Sequence, residues 1–292
     1  MSEAFNPVDG TRIAYTEAGA SDGRPLVLVH GSGLSRAIWR GLGYVAELRD
    51  QYRLVLVDLR GHGLSGKPHE QADYRMPLVV GDLLAVLDAA GVERAHYFGY
   101  SFGARAGFAL AESNPERMLS FISAGGSFRS PGGSVGRLFF EDYDAALGGP
   151  NGMQAFLDGW EAQAGIGIDH ATRAAFLAND ATAIRAYFRQ VEAEPGIDEQ
   201  RVAQLQTPTL LLAGTRDGRS YRDSQHAADI MPHASFVALE GRDHGSTLRP
   251  AAGVIEPVKA FLAEVEGALR LGAARPGEGG VSASDAGAPE SA

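Results

Sequence analysis

The sequence predicts an α/β fold: a mostly parallel central sheet flanked by helices, with a helical cap inserted into the core. Short apolar runs alternate with helical patterns through the first 124 residues and resume after residue 206. This alternation is typical of a doubly wound parallel sheet. Residues 125–206 lack strand-like runs and are dominated by helical patterns. The 292 residues and 45% hydrophobic content suit one large core.

Five strand-like runs are predicted in the first part of the core. Thr11–Glu17 alternates between apolar and polar residues after an Asp-Gly turn. Pro25–Val29 and Leu54–Val57 are apolar throughout, which predicts central strands buried on both faces. The remaining runs are Ala95–Tyr100 and Met118–Ser123.

Three helices are predicted among these strands, at Ala37–Leu48, Met76–Ala90 and Phe102–Ala111. The second has Pro77 in its first turn, an apolar stripe and Gly91 after its end. It therefore fits a crossover between parallel strands. The first is weakened by two internal glycines, which are poor helix formers.

The rest of the chain divides into a cap, a second core part and a tail. Helices are predicted in the cap at Met153–Ala162 and Thr172–Glu192. Strands at Thr209–Ala213 and Ser235–Leu239 and a helix at Val254–Leu271 return to the core. The last residues are mostly Gly, Ala, Ser, Pro and acids, which predicts disorder. The expected division is core 1–124, cap 125–206, core 207–271 and disordered tail 272–292.

Composition argues against several classes of function. The net charge of -10 disfavours nucleic acid and anionic membranes as partners. No apolar stretch is long enough to span a bilayer, and the first ten residues do not resemble a secretory signal. The chain has no cysteine, and the sequence contains no H-E-x-x-H, P-loop or dinucleotide motif. We therefore expect a cytoplasmic protein with no cofactor and no metal that acts on a small molecule; its oligomeric state is not predicted.

The segment Gly99-Tyr100-Ser101-Phe102-Gly103 lies at a predicted strand-to-helix turn. A serine hydroxyl is a poor nucleophile at neutral pH, so it must be held exposed beside a base and oxyanion donors. A G-x-S-x-G turn of this kind does so. Gly132–Gly136 repeats the pattern, but no strand runs into it, which predicts a loop. Ser101 is therefore the candidate nucleophile.

The G-x-S-x-G turn at Gly99–Gly103 is one of several segments that together resemble the α/β-hydrolase superfamily. The others are His30-Gly31-Ser32-Gly33 after an apolar strand, Asp58 to Ser65, and Asp and His residues late in the chain. The resemblance spans about residues 8–270 and points to the capped serine branch of esterases, C–C hydrolases and haloperoxidase-like enzymes. Dehalogenases and epoxide hydrolases of the superfamily carry Asp at the serine position, so the resemblance argues against those chemistries. We expect Asp58 to Ser65 to be a structural turn.

The order Ser, acid, His in this superfamily implies the partners of Ser101. His244 follows the last predicted strand and would take the serine proton and return it to the leaving group. Asp217 follows the strand Thr209–Ala213 and would orient His244 through its Nδ1 proton. Asp243 is the nearest alternative acid, although adjacent side chains point in different directions.

The resemblance also implies an oxyanion hole formed by the backbone N–H groups of Ser32 and Phe102. Substrate contacts are expected from residues near these groups or in the cap: Gly31, Gly33, Trp39, Tyr100 and Trp160. Trp39 has core packing as an equally good interpretation. Most cap aromatics are expected to hold the cap helices together, while a few would wall an apolar site. They are Phe139, Phe140, Tyr143, Phe156, Trp160, Phe176, Tyr187 and Phe188.

These features predict a cofactor-free serine hydrolase that cleaves an ester-like bond of a small, largely apolar molecule through an acyl-enzyme. C–C bond hydrolysis, lactone or thioester hydrolysis and perhydrolysis all use the same triad, so they remain alternatives. A ligand receptor that retains a hydrolase pocket is the alternative outside enzymology. Fold does not fix substrate, and specificity would lie in the cap.

Overall fold

The computed structural model describes residues 1–273 and contains one eight-stranded sheet. Its strands are β1 (Ser2–Phe5), β2 (Arg12–Gly19), β3 (Arg24–Val29), β4 (Tyr52–Val57), β5 (Ala95–Tyr100), β6 (Met118–Ala124), β7 (Thr209–Gly214) and β8 (Ala234–Leu239). They lie in the order β1-β2-β4-β3-β5-β6-β7-β8. A mostly parallel sheet flanked by helices is thus confirmed.

The pairings of β1 with β2 and of β2 with β4 are antiparallel, and all others are parallel. In the middle of the sheet, Val29 of β3 pairs with Gly99 of β5, and Gly99 pairs on its other side with Ser123 of β6. Because parallel strands end at one edge, the loops after β3, β5, β7 and β8 meet there.

Twelve α-helices occur within residues 1–273. They are α1 (Ala37–Gly41), α2 (Tyr44–Leu48), α3 (Met76–Ala89), α4 (Phe102–Ser113), α5 (Ser134–Leu138), α6 (Tyr143–Gly148), α7 (Gly152–Ala164), α8 (His170–Leu177), α9 (Ala181–Ala193), α10 (Glu199–Val202), α11 (Gly218–Ile230) and α12 (Ala252–Ala273). Helices α5 to α10 all fall between β6 and β7, in the segment where the sequence predicts a cap. None of the helices in this part of the chain is both long and apolar enough to cross a membrane.

Two apolar layers cover the two faces of the sheet. Side chains of α3, α4 and α11 pack on one face, which contains Val27 and Val29. Side chains of α1, α2 and α12 pack on the other, which contains Leu26 and Leu28. This alternation follows from the two-residue period of a strand. Full burial of one such side chain stabilises the fold by about 1.5–3 kcal/mol.

The structure differs from the expectations at several places, and helix α11 is one element that was not predicted. Strand β1 is absent from the predicted elements, because its four residues show no apolar run and are held by pairing with β2 and by contact with α3. The predicted helix over 37–48 is two helices, since Gly43 between them has φ 90°. The predicted helix over 172–192 is also two, and Asp180 caps the second by accepting from Thr182 and Ala183. Residues 274–292 of the predicted tail lie outside the described residues.

Candidate active site

Ser101 lies at the sharp turn between β5 and α4. Its φ of 54° makes it the only non-glycine residue with positive φ in the range 1–273. A Cβ at Gly99 would lie 2.4 Å from the Gly103 carbonyl oxygen, and one at Gly103 would lie 2.4 Å from the Val29 carbonyl oxygen. Both glycines are therefore required by close backbone packing. The strained turn presents Ser101 at the carboxyl edge of the sheet.

A continuous hydrogen-bonded line joins Ser101, His244 and Asp217. Ser101 Oγ lies 2.9 Å from His244 Nε2, and His244 Nδ1 lies 2.8 Å from Asp217 Oδ2. An ionised carboxylate only accepts, so Nδ1 carries the proton and Nε2 accepts from the serine hydroxyl. Both partner side chains are mostly shielded, with exposures of 22% for His244 and 11% for Asp217. The line has the geometry of a nucleophile, a base and an orienting acid.

Asp243, the alternative acid, is engaged in its own turn. Its Oδ1 accepts from the Ser246 amide at 2.8 Å and from the Ser246 hydroxyl at 2.6 Å. The hydrogen bond from the Ser246 side chain is the main reason that the pKa of Asp243 lies below its usual value. The carboxylate that contacts His244 belongs to Asp217, which directly precedes α11.

Tyr100 holds His244 in place. Its hydroxyl donates to the His244 carbonyl oxygen at 2.7 Å, and the two rings are stacked with centroids 5.7 Å apart. Burial raises the pKa of Tyr100 well above its usual value, so the hydroxyl keeps its proton. Tyr100 does not line the cavity beside Ser101. The predicted substrate contact of Tyr100 stays a prediction, and what the structure shows is contact between this ring and the histidine loop.

The Ser32 and Phe102 amides, the predicted oxyanion donors, flank Ser101. Neither N–H donates to a protein acceptor within residues 1–273. Phe102 is the first residue of α4, where a helix leaves its N–H groups free. A Cβ at Gly31 would lie only 2.9 Å from the Ser101 Cβ, so glycine is needed for the two loops to approach.

The loop that carries Ser32 is fastened to the helices between β6 and β7. Ser32 Oγ lies 2.6 Å from the hydroxyl of Tyr187 in α9. The Gly33 carbonyl accepts from Asn179 Nδ2 at 2.8 Å, and a Cβ on Gly33 would meet the Phe176 ring at 2.3 Å. Gly33 therefore contacts helices rather than the cavity, which it does not line. Gly31 does not line the cavity either.

A cavity of about 320 Å³ opens beside Ser101, His244 and Asp217. Its apolar wall combines the start of α4 with side chains from α5 and α9 and their flanks: Phe102, Val135, Leu138, Phe139, Phe188 and Val191. Ser134 of the second G-x-S-x-G also lines it, but begins α5 instead of lying in a loop. A larger cavity of about 510 Å³ among α6, α7 and α9 touches none of the reactive side chains. We place the candidate active site where the reactive groups converge.

The lining of the active-site cavity also contains many polar side chains, which the sequence pattern did not predict. It carries six serines and four arginines; the arginines are Arg105, Arg129, Arg137 and Arg219. Arg105 could have been found, because it lies four residues after Ser101 on the same helix. The other three come from separate segments that only the folded chain brings together.

Both tryptophans lie away from the cavity. Trp39 is fully buried on the other face of the sheet, 4.9 Å from the Phe98 ring by centroids. Trp160 packs 4.9 Å from Phe139 and 5.1 Å from Phe176. The predicted substrate contact of Trp39 is wrong, because core packing buries this ring completely. The predicted contact of Trp160, which is only partly buried, stays a prediction. Of the eight aromatic residues singled out in the sequence, Phe139 and Phe188 line the cavity.

His30 and His62 are structural. His30 Nδ1 donates to Gly31 O at 2.8 Å, and its Nε2 accepts from the Leu59 amide at 3.1 Å. Burial lowers the pKa of His30 to about 4 and that of His62 to about 3. Asp58 accepts from the Arg36 and Leu64 amides, so this segment is a hydrogen-bonded turn. Within residues 1–273 no three His, Asp or Glu side chains are grouped so that they could hold a metal ion.

Comparison with known proteins identifies relatives of this chain. The sequence profile described as "alpha/beta hydrolase fold" matches residues 24–151. A putative carbamate hydrolase, RutD, of Pseudomonas savastanoi is 30% identical over 241 residues, which cover 78% of this chain and 89% of that protein. Epoxide hydrolase B of Mycobacterium tuberculosis is 34% identical over 165 residues, 54% of this chain and 46% of that one. The enol-lactonase of Burkholderia xenovorans superposes with a TM-score of 0.76 at 22% identity, over 90% of this chain and all of that one.

Proposed function

This chain belongs to the α/β-hydrolase family and is a hydrolase, and we propose that it cleaves an ester-like bond of a small molecule through Ser101, His244 and Asp217. The observation that carries the proposal is the line of hydrogen bonds from Ser101 Oγ to His244 Nε2 and from His244 Nδ1 to Asp217. Its nucleophile end opens on the cavity of about 320 Å³.

In the first half of the reaction, Ser101 Oγ attacks the substrate carbonyl carbon while His244 Nε2 takes the hydroxyl proton. Asp217 stabilises the resulting imidazolium and keeps the Nδ1 tautomer in place. The tetrahedral intermediate collapses as the imidazolium gives its proton to the leaving alcohol. The products of this half are an ester on Ser101 and a free alcohol.

The negative oxygen of the tetrahedral intermediate is stabilised by the amides of Ser32 and Phe102. Each donor of this kind typically lowers the barrier by about 3 kcal/mol. Support comes from the position of the two N–H groups beside Ser101 and from their lack of protein acceptors in the part of the chain that is described.

In the second half, water replaces the alcohol. His244 Nε2 takes a proton from water as the hydroxide attacks the acyl carbon, and the proton returns to Ser101 Oγ when the acyl bond breaks. The acid product leaves and the free enzyme is restored. No redox change occurs in either half.

Helices α5 to α10 are proposed to act as the cap over this reaction. Support comes from Val135, Phe139, Phe188 and Val191, which lie in or beside these helices and wall the cavity. Such a cap excludes water and selects substrates by shape.

The test is a burst-phase assay with p-nitrophenyl acetate, butyrate and octanoate, followed by mass spectrometry after fluorophosphonate treatment. We expect a stoichiometric adduct on Ser101, steady turnover and a ranking of acyl lengths. An adduct without turnover of any ester would overturn ester hydrolysis and favour a C–C substrate or a receptor. If no adduct forms on Ser101, the proposed nucleophile is wrong.

A further inference from the structure

Arg105 is a buried cation in the wall of the active-site cavity. It lies on α4, four residues after Ser101, and its side chain is 8% exposed. One Nη donates to the Glu194 carbonyl oxygen at 2.8 Å and the other to the Val191 carbonyl oxygen at 3.4 Å. Its Nε–H has no hydrogen-bond partner within residues 1–273. A guanidinium cannot lose its charge at ordinary pH, so the fold retains a buried donor that is not satisfied.

No carboxylate fully neutralises Arg105. The Glu194 carboxylate is the acid that approaches it, at 3.8 Å, and that group already accepts from the Met76 amide at 3.0 Å and from Gln190 at 3.0 Å. A buried charge whose counter-ion stays beyond hydrogen-bond distance is only partly compensated for its loss of hydration. Such a cost is commonly met at sites that bind a ligand of opposite charge.

The other arginines of this wall are already engaged. Arg129 pairs with the carboxylate of Glu199, and Arg219 Nε lies 3.5 Å from Asp223 Oδ2. Arg137 is exposed and donates to backbone carbonyls of its own loop. Among the arginines that line the cavity, Arg105 is thus the one whose hydrogen-bond donors and charge are least satisfied by protein groups.

We propose that the substrate carries an anionic group, a carboxylate in its simplest form, which Arg105 binds while Ser101 attacks the ester at the other end of the molecule. This proposal rests on the proposed serine hydrolase function and names its substrate class. Ser101 immediately precedes α4, Arg105 lies in the first turn of that helix, and both line the same cavity, so both groups can meet one small molecule. The apolar side chains of the same cavity accommodate the carbon chain between the two ends.

The test compares monomethyl with dimethyl esters of succinic, glutaric and adipic acid. The two members of each pair differ in one negative charge and one methyl group. We expect the wild-type enzyme to prefer the monomethyl ester by about tenfold or more in kcat/KM at the best chain length, because a hydrogen bond to a charged group contributes that much. Arg105→Gln should reduce this ratio about tenfold to a hundredfold.

Two controls separate binding from structure. Arg105→Lys keeps the positive charge but lacks the planar guanidinium that binds a carboxylate through two N–H groups. It should therefore show part of the preference that Arg105→Gln loses. Arg49→Gln removes an exposed arginine paired with Asp50 and should leave the ratio as in wild type. If Arg105→Gln does not fold, the wild-type ratio and competitive inhibition by glutarate carry the test.

The proposal is overturned if the wild-type enzyme shows no preference for the monomethyl ester at any length, or if Arg105→Gln folds and keeps the wild-type ratio. Failure of the underlying function looks different: neither member of any pair is hydrolysed and fluorophosphonate does not label Ser101. Hydrolysis of dimethyl esters without a charge preference would leave the function standing and remove only the anionic substrate.

Discussion

At Ser101 the backbone strain and the reactive hydroxyl belong to the same residue, and Ser101→Ala separates them. Alanine keeps the Cβ and therefore the strain at φ 54°, but it has no nucleophile. We expect ester hydrolysis to fall to the residual level left by binding and the oxyanion amides, with an unchanged thermal transition. Steady-state rates and calorimetry measure the two quantities.

Ser134→Ala is the matched control for that experiment. Ser134 lies in the second G-x-S-x-G and lines the same cavity, but its Oγ contacts Ser130 Oγ at 3.4 Å and no histidine. Its removal should leave ester turnover within a fewfold of wild type. Equal losses in the two variants would contradict the assignment of Ser101.

Asp217→Asn should slow turnover by about ten-thousandfold while the protein remains folded. The asparagine amide can donate to His244 Nδ1, which favours the tautomer with the proton on Nε2. A protonated Nε2 cannot accept the proton of Ser101. Asp243→Asn is the control, because Asp243 caps the turn to Ser246. A fast Asp217→Asn beside an inactive Asp243→Asn, measured on one ester, would reassign the acid.

Between elements, helix α9 and the loop after β3 are joined by the hydrogen bond of Tyr187 to Ser32 Oγ. This loop carries one proposed oxyanion amide, so its position sets how well the intermediate is stabilised. Tyr187→Phe removes the hydroxyl and keeps the ring, which packs 4.9 Å from Phe102. We expect kcat for an ester to fall about threefold to thirtyfold, with a smaller effect on KM.

A double-mutant cycle with Ser32→Ala tests whether the effect passes through that bond. The two single changes remove the same interaction, so the double variant should be little worse than either one. Fully additive losses would show that Tyr187 acts by another route.

The element pattern shows where sequence reasoning works. Continuous apolar runs such as Pro25–Val29 predict buried strands because two faces of the sheet are covered, and the strand is found at Arg24–Val29. Edge strand β1 could not be predicted, because its stability comes from pairing with β2. The break at Asp180 could have been read as a helix cap.

Across the whole molecule, buried histidines tie stability to pH. His30 and His62 are fully buried, and burial lowers their pKa values from 6.5 to about 4 and about 3. The unfolded chain takes up protons near pH 6.5 that the folded protein refuses, so stability is present above that pH and is lost as pH falls. By about pH 5 each histidine should cost about 2 kcal/mol.

Urea unfolding at about pH 7.5 and about pH 5 measures this loss. His62→Asn should make the difference between the two pH values smaller by about 2 kcal/mol, because asparagine can donate to Arg60 O and does not titrate. His170→Asn, an exposed control, should keep the full difference. A wild-type free energy of unfolding that is level across this range would contradict the linkage.

The candidate site was only partly predictable for a related reason. Ser101, Asp217 and His244 each follow a recognisable strand, and strand ends meet at one edge. The four arginines that line the cavity follow no such pattern, since they come from α4, α5, α11 and the segment after β6. Trp39 shows the opposite error: its place near His30 in sequence suggested the cavity, but it lies on the other face of the sheet.

The chain leaves the sheet at Ala124 and re-enters it beside the same strand, since Ala124 of β6 pairs with Leu212 of β7. Because the two strands are parallel, the chain leaves at the carboxyl end of β6 and re-enters at the amino end of β7; since these strands are neighbours, the intervening helices can be exchanged as one segment without altering strand order. Swapping this segment between relatives should transfer substrate preference to a shared reactive core. The exchanged segment must supply the same hydrogen bonds to the core. It needs a hydroxyl that pairs with Ser32, as Tyr187 does here, and carbonyl oxygens that accept from Arg105, as those of Val191 and Glu194 do.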